Sequence, residues 1–185
     1  MKKFLFIFTF FVAIIGMATS QQYEVIIKDG DPVKIMINEY VTINRYSSML
    51  RKHIIVNDSN SPLRITDGGV ILRSAGNDLL LSPFGHIQTV NGVTAYQINY
   101  ILFDVFGKKF RSLEVITVQD AKENVKKSIS LDSLSWKSNQ NEAEKYSISL
   151  AYVAKVRRAD GVVWEANEES LRIELKNQGL KDLSF

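Results

Sequence analysis

The sequence predicts a mainly β protein, an antiparallel β-sandwich with a short C-terminal helix. Three observations point there. Apolar and polar residues largely alternate over two long runs, short strand-like segments recur between turn signals at close spacing, and one terminal segment carries helical end signals. Alternation with one apolar and one polar face is the pattern of antiparallel strands covered on a single side. Many short strands at even spacing fit a sandwich or barrel.

The chain opens with a segment of a different kind. Lys2 and Lys3 precede an apolar run from Phe4 to Met17, broken only by Thr9 and Gly16, and Ala18 and Ser20 follow in the small-residue relation that signal peptidase reads. Residues 1–20 are therefore predicted to be a signal peptide cut at Ser20–Gln21. A membrane anchor needs about 20 consecutive apolar residues, which this run does not reach. The expected protein is exported, periplasmic or extracellular, with residues 21–185 as one β-sandwich domain and a sub-boundary near residue 92 as the alternative. No transmembrane segment is expected after cleavage.

Export changes the composition that matters. Five of the ten Phe fall in the leader, and losing Lys2 and Lys3 lowers the formal charge from +3 to +1. No overall basic surplus remains to suggest nucleic acid or an anionic membrane. With no cysteine in the chain, disulfides, thiol nucleophiles and thiolate metal sites are excluded, and stability must come from an apolar core.

Along the mature chain, strand candidates are Tyr23–Ile27, Val33–Ile37, Tyr40–Ile43, His53–Val56, Leu63–Thr66, Val70–Arg73, Leu79–Leu81 and Ile87–Val90. Turn signals separate them, among them Asp29-Gly30-Asp31-Pro32, Asp67-Gly68-Gly69 and Ala75-Gly76-Asn77. In the next strand Tyr96, Ile98, Tyr100 and Leu102 share a face, and Asp104-Val105-Phe106-Gly107 turns the chain toward Lys109-Phe110. Leu113–Val118, Ser128–Leu131 and Leu134–Trp136 follow. From Tyr146 to Val156 alternate residues are apolar, so Leu150 is expected inside and Ser149 outside. Asp160-Gly161 then makes a favoured hairpin turn into Val162-Val163-Trp164. Asn167 as N-cap, Glu168 and Glu169 in the first turn and Gly179 as a stop predict a short helix, although Leu171, Ile173 and Leu175 also alternate at period two.

The stretch Ile98 to Lys109, an alternating strand followed by aromatic, Asp, two residues, Gly and Lys, resembles the hairpin of small extracellular immunoglobulin-like modules of the FxLYD type. The resemblance covers about a dozen residues. It implies an immunoglobulin-like β-sandwich with a binding or structural role and supplies no catalytic residues.

Candidate chemistry is sparse. His53 and His86 stand without a neighbouring His or Cys, so zinc lacks its three or four ligands. No G-x-S-x-G surrounds Ser61 or Ser82, which leaves neither His a hydrolase partner. Asp29, Asp31, Asp58 and Asp67 sit at turns and lack EF-hand spacing. No catalytic residue, metal site or cofactor is assigned. Asn57-Asp58-Ser59 fits a glycosylation acceptor only in a eukaryotic secretory pathway. Trp136, flanked by Ser and Lys, and Trp164, after the Asp-Gly turn, are the candidate ligand-binding residues, with core packing as the competing role. Two functions remain open: a non-catalytic β-sandwich that binds a protein or glycan partner or serves as an envelope component, and an exported glycan hydrolase using a carboxylate pair.

Overall fold

A computed structural model of the chain describes residues 24–26, 33–43, 48–89, 92–118, 126–129 and 134–177. The expected leader, the Asp29–Pro32 turn and Gly179 lie outside these residues.

The described segments form two sheets. The larger holds β1 (Glu24–Ile26), β2 (Val33–Ile43), β3 (Ser48–Asp58), β6 (Val93–Phe103), β7 (Lys109–Val118), β10 (Ile148–Arg158) and β11 (Val163–Glu165). Its order is β1-β2-β3-β10-β6-β7, with β11 beside the later part of β10. The smaller holds β4 (Leu63–Ala75), β5 (Asp78–Thr89), β8 (Lys126–Ile129) and β9 (Trp136–Ser138), with β5 in the middle. Helix α1 (Gln140–Lys145) leads into β10, and helix α2 (Glu168–Asn177) follows β11. The protein is thus mainly β, with two sheets and a short C-terminal helix, as the alternation and capping signals predict.

Between the sheets lies a core built from Leu63, Ile65, Val70, Leu81 and Ile87 on one side and Ile55, Ile98, Tyr100, Leu102, Leu113 and Val115 on the other. A second core lies on the opposite face of the larger sheet. There Leu171 and Leu175 of α2 cover Ile35, Ile37, Ile54, Val56, Leu150 and Tyr152. Helical spacing, not period two, therefore governs the last element: Leu171 and Leu175 are buried while Ile173 is half exposed. Asn167 Oδ1 accepts from Ser170 N at 3.1 Å, the N-cap contact that the sequence predicts.

Three features depart from the sequence reading. First, β3 and β10 run parallel, Ile148 opposite Lys52 through Tyr152 opposite Val56, within an otherwise antiparallel pairing scheme. Both strands are central and covered on both faces, and His53–Val56 and Leu150–Ala154 are correspondingly near-continuous buried runs.

Second, β10 does not present one apolar face from Tyr146 to Val156. Leu150, Tyr152 and Ala154 face α2, whereas Ala151, Val153 and Val156 face the inter-sheet core, a bulge between Val153 and Lys155 resetting the register. Ser149, expected in solvent, is fully buried, because the second face of the strand also has a layer over it.

Third, Asp67-Gly68-Gly69 is not a turn. It lies inside β4, with Gly68 opposite Gly85 and Gly69 opposite Phe84. A Cβ on Gly69 would overlap the His53 ring, and one on Gly68 would fall 2.8 Å from the Phe84 carbonyl oxygen. These glycines permit close approach of backbone and ring, the other physical role of glycine in a strand. Helix α1, without a sequence prediction, is set by Asn139, whose Oδ1 accepts from Glu142 N at 2.8 Å.

Candidate functional site

A serine and a histidine do meet in this fold. Ser149 of β10 and His53 of β3 are register partners, with Oγ and Nδ1 2.6 Å apart. The pair is nevertheless sealed in the interior: His53 is 1% exposed and Ser149 0%, with Phe84 edge-on to the imidazole at 5.4 Å. Burial, aided by the nearby Arg51 charge, lowers the His53 pKa to about 3, so the ring is neutral at physiological pH. A nucleophile and base must reach substrate, and this pair lines no opening.

Arg51, also buried, stacks its guanidinium 4.5 Å from the Tyr146 ring centroid and donates from Nη2 to Ala143 O at 3.4 Å. Tyr146 Oη in turn donates to Val70 O at 2.5 Å, and Tyr100 Oη donates to Phe84 O at 3.2 Å. These polar side chains tie the larger sheet and α1 to β4 and β5. Their placement is that of a structural network.

The other sequence candidates fall in separate places. Trp136 (β9) and Trp164 (β11) are on different sheets, each half-buried and packed against the inter-sheet core. His86 is exposed and pairs with Asp67 at 3.4 Å. Asp58 Oδ1 accepts from Asn60 N at 2.8 Å, the work of a turn former. Asn57 is buried, its Oδ1 accepting from Ile65 N and its Nδ2 donating to Ile65 O, both at 2.8 Å, so its amide is engaged and inaccessible to glycosylation. Among the described residues, no three His, Cys, Asp or Glu side chains cluster as a metal would require.

An exposed apolar patch lies on the outer face of the larger sheet beyond α2. The register builds it row by row. Val118, Ala95, Arg157 and Val163 stand opposite one another across β7, β6, β10 and β11. Ile116, Gln97, Lys155 and Glu165 form the next row. Ile116 is 66% exposed and Val118 80%, and Val163 is also exposed. Lys155 Nζ bonds Glu165 Oε1 at 3.0 Å. Toward the helix, Gln97 Nε2 donates to Asn99 Oδ1 (2.9 Å), Asn99 Nδ2 donates to Tyr152 Oη (3.0 Å), and Tyr152 Oη donates to Glu168 Oε1 (2.6 Å). Burial, reinforced by that bond to Glu168, raises the Tyr152 pKa far above its ordinary value, which keeps the hydroxyl protonated as a donor.

At the far end of this face is a shallow hollow of about 350 Å³ lined by Val118, Ala95, Thr94, Arg157, Arg158 and Gly161. Among the described residues, no carboxylate lines it. In sequence, Ile116 and Val118 are ordinary residues of the Leu113–Val118 strand candidate, and Arg157 follows the run that ends at Val156. The usable signal was Val115-Ile116-Thr117-Val118, apolar on both faces at the end of a strand whose earlier residues alternate.

No family model, curated protein or solved structure matches this chain. Among the described residues, no helix is long and apolar enough to cross a membrane.

Proposed function

We propose that the protein is an exported, non-catalytic binding module or envelope component, and that its protein or glycan partner lies on the open outer face of β7, β6, β10 and β11. The supporting observation is that exposed Ile116, Val118 and Val163 share register rows with the amide of Gln97 and the cations Lys155 and Arg157 on one sheet face. Apolar area interleaved with hydrogen-bonding groups is what a partner surface needs, while the hollow beside it is shallow and lacks facing acids among the described residues. The exported setting rests on the leader pattern Lys2 to Ser20. Trp136 and Trp164, packed on the inter-sheet core, lie off this face and take no part in this reading.

Affinity capture from the native envelope fraction tests it, with the wild-type protein compared to Ile116→Lys/Arg157→Glu. The expected result is a protein or glycan retained by the wild type and lost by the variant. Capture unaffected by the variant, or release of reducing sugar from envelope glycan, would move the function elsewhere and favour the hydrolase.

A further inference from the structure

The β6–β7 hairpin ends in an apex that the sheets do not use. Phe106 is 84% exposed and Val105 55%, and Phe106 is the only aromatic among the strongly exposed large apolar side chains of the described residues. This exposure is held in place. Asp104 Oδ1 accepts from Phe106 N and from Lys108 N, each at 2.9 Å. Gly107 N donates to Asp104 O at 3.0 Å, Asp104 N donates to Lys108 O at 3.1 Å, and Gly107 takes φ +76°, a left-handed value suited to glycine.

The Asp104 carboxylate is therefore turned into its own backbone, while exposed Lys108 and Lys109 follow directly. The apex is an apolar tip with a cationic collar on a rigid stem.

We propose that this apex docks the protein on an anionic lipid surface, Val105 and Phe106 entering the headgroup–acyl boundary and Lys108 and Lys109 meeting the lipid phosphates. Size and charge select this occupant. Two side chains fall far short of the roughly 800 Å² per partner that a stable protein interface buries. Interfacial membrane binding, by contrast, grows with each apolar group inserted and each cation at the surface. Lysine stems also let the ammonium groups sit at headgroup depth while the tip goes deeper. Lys109 to Val118 spans about 30 Å at about 3.3 Å per residue, so a molecule seated on its apex keeps the open face clear of the membrane. The proposal does not depend on what that face binds.

The test uses the full chain with vesicles of phosphatidylcholine alone and of phosphatidylcholine mixed equally with phosphatidylglycerol. Phe106→Trp gives a local probe, read as the difference from the wild-type emission of Trp136 and Trp164. It is independent of any lipid affinity of Phe4–Met17. A blue shift on the anionic vesicles only is expected. Phe106→Ser is expected to weaken anionic-vesicle binding about tenfold or more, the scale of one aromatic side chain withdrawn from an apolar phase. Lys108→Gln/Lys109→Gln is expected to weaken it about tenfold or more as well, at a few-fold per lysine. All three variants should melt with the wild type, since none touches the core. An unshifted difference emission from the Phe106→Trp variant on vesicles that carry the protein would overturn the proposal. Equal affinity of Phe106→Ser, or equal binding to both vesicle types, would do the same. A Phe106-dependent protein complex formed without lipid would replace the membrane by a protein partner.

Discussion

Replacing Gly69 with alanine probes the contact through which the two sheets dock. Gly69 lies in β4, and the space where its Cβ would stand is filled by the His53 ring of β3. That ring has little room to move. Its Nδ1 is 2.6 Å from Ser149 Oγ, and Phe84 packs on it edge-to-face at 5.4 Å. Overpacking a core costs about 1–3 kcal/mol and occasionally more. Because ring atoms rather than a flexible chain end would be overlapped, Gly69→Ala is expected near the upper value, about 3 kcal/mol.

His53→Ala removes the obstacle and leaves a cavity beside a serine short of a partner, costing about 2–4 kcal/mol alone. The double variant should then recover about 1–3 kcal/mol relative to the sum of the singles, because the new methyl occupies part of the vacated space. Urea melts of the four proteins give the cycle. Additivity within about 0.5 kcal/mol would refute the docking geometry and return Asp67-Gly68-Gly69 to the surface turn that the sequence suggests.

Other substitutions read the same interior. Leu150→Ala should cost about 2–5 kcal/mol through the cavity it leaves under α2. Ser149→Ala should cost about 1–3 kcal/mol by stripping a hydrogen bond from buried His53, and a solvated Ser149 would show almost no change in the same melts. The titration of His53 has a definite sign. Its folded value is about 3 against 6.5 in the unfolded chain, so only the unfolded state takes up a proton as the pH falls through that window. Its contribution is fully present above about pH 6.5 and is lost on acidification by about 1.4 kcal/mol per pH unit. His53→Gln should flatten the stability profile between about pH 6 and about pH 4 relative to wild type, and parallel profiles would show that His53 does not carry the effect.

Local pattern in the sequence was enough for strand faces, turns and caps whose residues are close neighbours in the chain. The alternation of Tyr96, Ile98, Tyr100 and Leu102 marked a real strand face, Asp104-Gly107 and Asp160-Gly161 marked real turns, and Asn167 with Leu171 and Leu175 marked the terminal helix. In each case the signal and its cause lie within a few residues of one another. What only the tertiary structure decided concerns segments that meet across long sequence separations. Ser149 and His53 are 96 residues apart, and neither local pattern says that a second layer covers the strand between them. The same holds for Gly69, whose lack of a side chain is explained by a ring on another sheet, and for the parallel pairing of β3 with β10, which no turn dictates. The open face has a similar origin. Ile116 and Val118 are ordinary strand residues in sequence and become a surface only because α2, packing through Leu171 and Leu175 over β2, β3 and β10, stops short of β7. Side-chain alternation reports which residues share a face of a strand, whereas which layer covers each face is fixed by the packing of the whole chain.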